Sequence, residues 1–308
     1  MATYKEIHGT NIEVLASDPA NPAEGQIWYN TTSGTLKGAV FNSTAAFATG
    51  GNLNQPRDIA SGAGTQTAAL AMGPGTISEE YDGSTWTVGN AMGVSTSRFA
   101  AAGLQTAALA FGGQPGSNRT EEYDGTNWTT ANVMGTGRND LAGAGTQTAA
   151  LAFGGGFPGP TKGNLTEEYN GTDWTAGATM GTARYALAGC GTQTAGLAFG
   201  GGGPPGDKTE EYNGTVWTVG GTIPGATSYL AGAGSQTAAV LFGGAPNLSA
   251  SFTYDGSSWT SSATMANGRS KLGGAGTQVA AAAFGGENTV YTEEYSGIGN
   301  QAKTISGS

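Results

Sequence analysis

The chain has 308 residues, a formal net charge of −10, only 11% charged residues and 56 glycines. The acidity and the lack of any basic run exclude a binder that tracks nucleic-acid phosphates, which needs clustered Lys and Arg to displace counterions. Disorder is excluded as well, because six Trp, eleven Tyr and ten Phe are enough to build cores if they recur in register.

In chain order, the polar start Met1-Ala2-Thr3-Tyr4-Lys5-Glu6 carries no apolar leader. Residues 1–43 stand outside any repeat. Asp18 to Gln26 reads as a Pro-rich lead. A small hairpin follows, with Ile27-Trp28-Tyr29 expected to pair with Thr35-Leu36-Lys37 around Asn30 to Gly34. Trp28 and Tyr29 exposed on so small an element call for a partner, either the rim of the repeat domain that follows or another protein, and with Leu36 they form the expected attachment segment. Next comes Phe47-Ala48-Thr49, with Phe47 ten residues ahead of Arg57.

A repeat then takes over, and it decides the fold. A Gln-(Thr/Val)-Ala run begins at Gln66, Gln105, Gln147, Gln193, Gln236 and Gln278, spaced by 39, 42, 46, 43 and 42 residues. Five of the six copies run into Phe-Gly-Gly. Each is followed by a tyrosine, at Tyr81, Tyr123, Tyr169, Tyr212, Tyr254 and Tyr295. Five residues after the first five tyrosines stand Trp86, Trp128, Trp174, Trp217 and Trp259, across Asp-Gly or Asn-Gly turns. Runs such as Ala149-Ala150-Leu151-Ala152-Phe153 alternate large and small residues, as strands do. Each unit reads as four short strands. Four strands every ~42 residues make a propeller blade, with Gly- and Ala-rich first strands converging on the axis. The fold class is all-β: a six-bladed propeller over residues 44–308, with residues 1–43 as an N-terminal hairpin extension.

The sixth unit has no tryptophan after Tyr295. Phe47 precedes Arg57 by the same ten residues that separate Trp128, Trp174 and Trp259 from the next arginine or its aligned position. Residues 44–50 are therefore expected to supply the missing outer strand, with Lys303-Thr304-Ile305 competing for the place.

Arg57, Arg98, Arg138, Arg184 and Arg269 open most units, and Glu-Glu pairs precede five of the tyrosines. The unit with Thr227 in the arginine slot is also the one without the glutamates. Arg and Glu-Glu are lost together there, as partners would be. A charge-assisted clamp from these arginines to Glu80, Glu122, Glu168, Glu211 and Glu294 is the expectation; a carboxylate ring for calcium is the alternative.

No catalytic constellation stands out. His8 is the sole histidine and Cys190 the sole cysteine, so copper or zinc centres and a hydrolytic triad lack their parts. Cys190 replaces an alanine in Ala-Gly-Ala-Gly and reads as a small buried hydrophobe. No metal, cofactor or enzymatic activity is expected. The periodic tryptophans read as core, and nothing is long and apolar enough for membrane insertion.

Recognition is expected in the loops between second and third strands, which differ where the other turns repeat. The candidates are Gln114, Pro115, Asn118 and Arg119, then Phe157, Pro158, Lys162 and Asn164, then Pro204, Asp207 and Lys208, and Asn247.

The order Gly154-Gly155, Tyr169, Trp174, Met180, Arg184 resembles the kelch motif over roughly residues 47–308, with a closer Tyr–Trp spacing than typical kelch repeats. The hairpin around Trp28, and the Gln-Thr-Ala-Ala-Leu-Ala-Phe-Gly-Gly repeats, are similar to virion and tail-fibre proteins of marine bacteriophages. That resemblance implies a tail-associated virion protein, multimeric in its assembly. Residues 1–43 would join other virion proteins, and the variable loops would meet a host receptor or glycan. A lectin or adhesin of bacterial origin and a capsid decoration protein are the alternatives.

Overall fold

The computed structural model describes residues 12–19, 26–156, 163–203 and 206–304. All regular structure among them is β, and the chain divides into two compact units. One comprises residues 46–296. The other comprises residues 1–45 with residues 297–308.

In the larger unit, four-stranded antiparallel sheets repeat along the chain in a propeller-like all-β arrangement. One sheet shows how the sequence builds them all. Its strands are Ala142–Thr146, Ala149–Phe153, Thr166–Tyr169 and Trp174–Ala176. Gln147 and Thr148 form a two-residue turn between Thr146 and Ala149. Gly145 takes φ +99° there, and a Cβ on it would sit 2.2 Å from the Ala149 carbonyl oxygen. Tyr169 pairs with Trp174 across four residues rather than two. The Asn-Gly signal works differently from a two-residue hairpin. The Asn170 side-chain oxygen accepts the Thr172 and Asp173 N–H groups, a local turn made by the side chain. Asp82 does the same in its sheet, and those N–H donors hold its carboxyl down at about 2.

The core lies between sheets. Leu151 and Phe153 pack with Leu187, Ala198 and Tyr212 of the following sheet, and Leu109 and Phe111 with Leu141, Ala150, Ala152 and Tyr169 of theirs. Large side chains on one face thus meet small ones on the next. First strands approach so closely that a Cβ on Gly143 would lie 2.8 Å from the Ala101 carbonyl oxygen and 2.6 Å from Phe111 Cζ.

Up to three polar staples cross a seam, all in one direction; Tyr295 meets Ser262 instead of a glutamate, and the Trp128 indole N–H has no partner among the described residues. Gln147 Nε2 donates to the Ala108 and Tyr123 carbonyls of the preceding sheet, at 3.1 and 2.7 Å. Tyr169 Oη donates to Glu122 at 2.7 Å, and Trp174 Nε1 to Thr120 Oγ1 at 2.9 Å. The same three bonds run from Gln66, Tyr81 and Trp86 to the sheet that contains Thr292–Ser296. That sheet takes its fourth strand from Ala46–Thr49, with Phe47 opposite Tyr295. Phe47 also meets Phe242 edge-on at 6.3 Å, in the place where Trp174 meets Phe111 at a tilt, 5.0 Å away. Cys190 is buried, and burial pushes its thiol up to about 12.

The smaller unit is a single sheet. Ile27–Asn30 pairs with Thr35–Asn42, placing Trp28 opposite Lys37 and Tyr29 opposite Leu36. Glu13–Leu15 adds in parallel on one side. Gly299–Thr304 adds antiparallel on the other. Lys303 and Thr304 therefore pair here and not with the sheet of Tyr295. The unit is built from both ends of the chain, not from residues 1–43 alone.

Candidate functional site

The clamps divide differently from the sequence expectation. Arg138 is 0% exposed; its Nη1 donates to the Gly154 and Leu165 carbonyls and its Nη2 to Glu167 Oε1, at 3.1 Å. Arg57, Arg184 and Arg269 bind Glu79, Glu210 and Glu293 in the same way, at 2.7, 3.0 and 3.0 Å. The partner is thus the first glutamate of each pair. Successive strand residues face opposite sides. Glu80, Glu122, Glu168, Glu211 and Glu294 consequently face the other seam, where each accepts a tyrosine hydroxyl: from Tyr123, Tyr169, Tyr212, Tyr254 and Tyr81 respectively.

Arg98 is not a clamp. It stands seven residues before its Gln105, whereas Arg57, Arg138, Arg184 and Arg269 stand nine before theirs, and Thr96 fills the ninth place. Arg119 replaces the lost clamp. It pairs with Glu121, and its guanidinium lies 5.4 Å from the Phe99 ring centre. Arg119 is accordingly buried and not a loop residue free to meet a ligand. Thr227, the other threonine in the clamp slot, has Phe252 where the first glutamate would be, so neither charge is left alone. Both threonines donate to loop carbonyls instead, Thr96 to Gln114 and Thr227 to Ala245.

Of the other loop candidates, Gln114, Pro115, Asn118 and Asn247 are exposed, while Asn164, Asp207 and Lys208 are half-buried. Phe157, Pro158, Lys162 and Pro204 lie outside the described residues. Trp28 is buried rather than exposed. Its indole N–H donates to Asp18 Oδ1 at 3.0 Å, and Asn30 Nδ2 donates to the same oxygen at 2.7 Å. Tyr29 is 40% exposed and Leu36 half-buried.

The place seven residues before each glutamine holds what no motif displayed. Its occupants are Ile59, Arg98, Asp140, Ala186, Tyr229 and Lys271. All six are left-handed, with φ between 51° and 59°. That conformation costs an L-residue on the order of 1–2 kcal/mol, and a β-branched residue such as Ile59 adopts it rarely. A belt of backbone bonds holds it. Asp140 N donates to Arg98 O, Ala186 N to Asp140 O, Tyr229 N to Ala186 O and Lys271 N to Tyr229 O, all at 2.7–2.8 Å. Ala60 N continues the belt to Lys271 O at 3.2 Å.

These six residues and the starts of the first strands after them line one cavity of about 140 Å³. The variable loops sit at the same end. Gln114 N, Gly156 N, Gly202 N and Ala245 N donate to the carbonyls of Ser97, Asn139, Tyr185 and Ser228, each next to a left-handed residue. At this mouth Arg98 Nη1 donates to Asp140 Oδ2 at 3.1 Å, with the Asp140 side chain 2% exposed. Burial raises the Asp140 carboxyl above its ordinary value, against the pull of Arg98. Burial and the Asp140 charge likewise raise the Tyr229 hydroxyl, and Arg98 opposes them from three repeats away. Lys271 pairs with Asp58 at 3.6 Å and with Glu287 at 4.0 Å. Among the described residues, no group of three or more His, Cys, Asp or Glu could hold a metal ion.

No protein-family model matches the chain, and no curated protein matches it.

Proposed function

We propose that residues 46–296 form a closed six-bladed, kelch-like propeller that binds without catalysing, and that the chain is a tail-associated structural protein of a bacteriophage virion. The observation that carries the binding role is the mouth: six repeats of one strained backbone geometry, each bearing a different side chain. Strain held by a belt of hydrogen bonds and spent on presenting unlike groups fits recognition better than packing. The closed ring is supported by the staples of Gln66, Tyr81 and Trp86, which reach the last sheet as their equivalents reach the preceding one. The virion assignment is supported by the resemblance of the repeats and the hairpin to marine phage proteins. In this reading the smaller unit anchors the chain, with Tyr29 on its open face, and the mouth and its loops meet the host surface.

Gold-labelled antibody on intact particles tests the assignment, with label expected at the tail. Label on the capsid would favour a decoration role, and unlabelled particles would favour an adhesin. Because the anchor draws on both ends of the chain, deleting residues 1–43 together with 299–308 is expected to abolish incorporation while the propeller stays folded.

A further inference from the structure

From the mouth's chemistry, and resting on the binding role just proposed, we infer that the cavity takes the terminal ring of a neutral sugar, gripping two neighbouring hydroxyls between Asp140 and Arg98. The geometry offers both halves of that grip. Asp140 Oδ2 is taken by Arg98, while its Oδ1 accepts no hydrogen bond among the described residues, on a side chain that is almost wholly buried. A carboxylate oxygen left open accepts from a hydroxyl, and the guanidinium beside it donates to the next.

The charges argue for a neutral guest. Two cations, Arg98 and Lys271, stand against three carboxylates, Asp140, Asp58 and Glu287. Each cation is already paired, and the whole chain carries −10. An anionic sugar would bring like charge to a mouth with no spare cation to receive it. Size bounds the guest: a cavity of about 140 Å³, close to the ~150 Å³ that holds one benzene ring, has room for no more than part of one sugar ring below its open rim. The rest of the lining is largely Ala and Gly with Leu141, Leu187, Leu230, Leu272 and Phe99, a surface for the C–H face of a sugar, and Tyr229 adds a second aromatic ring.

The test is a glycan array probed with the full chain and with Asp140→Asn, which keeps shape and removes the charge. Melting temperature is read alongside, and binding to host-cell envelopes is measured separately. The expected result is binding to glycans ending in neutral hexoses, weakened at least 10-fold in Asp140→Asn at unchanged melting temperature. Should Asp140→Asn unfold, Ile59→Trp, which fills the mouth while leaving both members of the ion pair in the chain, is expected to cause the same loss. Glycan binding that survives both variants would overturn the inference, as would preference for sialylated or uronic-acid termini. Envelope binding without any array signal would overturn it while leaving the binding role standing. Failure to bind envelopes at all would overturn the binding role itself.

Discussion

The seams between sheets and the mouth are cut from the same repeat and use it in opposite ways. At the seams the chemistry recurs: glutamine to two carbonyls, tyrosine to glutamate, tryptophan to threonine. At the mouth the backbone recurs and the chemistry does not, with Ile59, Arg98, Asp140, Ala186, Tyr229 and Lys271 on one conformation. A seam side chain must match a neighbour on another sheet, so changing it alone leaves a buried group unmet. At the mouth the backbone bonds fix each residue's position whatever its side chain, and only some side chains, such as Arg98 with Asp140, pair with a neighbour. The repeat therefore diverges where divergence costs folding least, which is where the proposed binding role needs it.

The comparison breaks most visibly at a clamp. Arg138→Ala leaves Glu167 buried without its guanidinium and is expected to cost roughly 3–5 kcal/mol in urea unfolding. The double variant Arg138→Thr/Glu167→Phe copies the Thr227 and Phe252 arrangement and is expected to recover most of that loss. A double variant as damaged as the single would show that the two charges do not act as a pair.

Alkaline pH probes the tyrosine staples together. Burial, then the bond to glutamate, raises Tyr81, Tyr212 and Tyr254 to about 12. An unfolded tyrosine loses its proton near pH 10. The staples' contribution is thus complete below pH 10 and drains away between pH 10 and 12. A melting temperature that falls across that window, and falls less in Tyr212→Phe, is the expected observation.

A single seam bond is smaller. Gln147→Ala strips one donor group from the Ala108 and Tyr123 carbonyls and is expected to cost about 1–3 kcal/mol. The mouth should give the least response. Ala186→Asn puts a residue tolerant of positive φ on the belt and is expected to change stability by less than about 1 kcal/mol. A loss there as large as at Gln147 would mean that mouth side chains carry the fold after all.

The repeat made the sheets legible in advance, and the ten-residue offset of Phe47 located the strand that completes the last one. The clamp pairing was half legible: arginine and glutamate vanish together around Thr227, yet which glutamate pairs follows from strand alternation, which composition does not display. Arg98 misleads because residue type matches while distance does not; counting back from Gln105 separates it from the clamps. The mouth stayed hidden for the reason that makes it interesting, since six unlike residues in one slot form no motif. Trp28 shows the limit of reading a small hairpin alone: Asp18, from an irregular stretch, accepts its indole N–H.

The strand Ala46–Thr49 has a consequence for synthesis. It leaves the ribosome before any complete sheet of the larger unit, and its partner Thr292–Ser296 follows only after the strands of the intervening sheets have been made. At roughly 5–20 residues per second the early strand waits tens of seconds for its mate, its edge open to any passing chain. Residues 44–50 are therefore where a nascent copy is most exposed to pairing with the wrong molecule, and where a chaperone would do the most good.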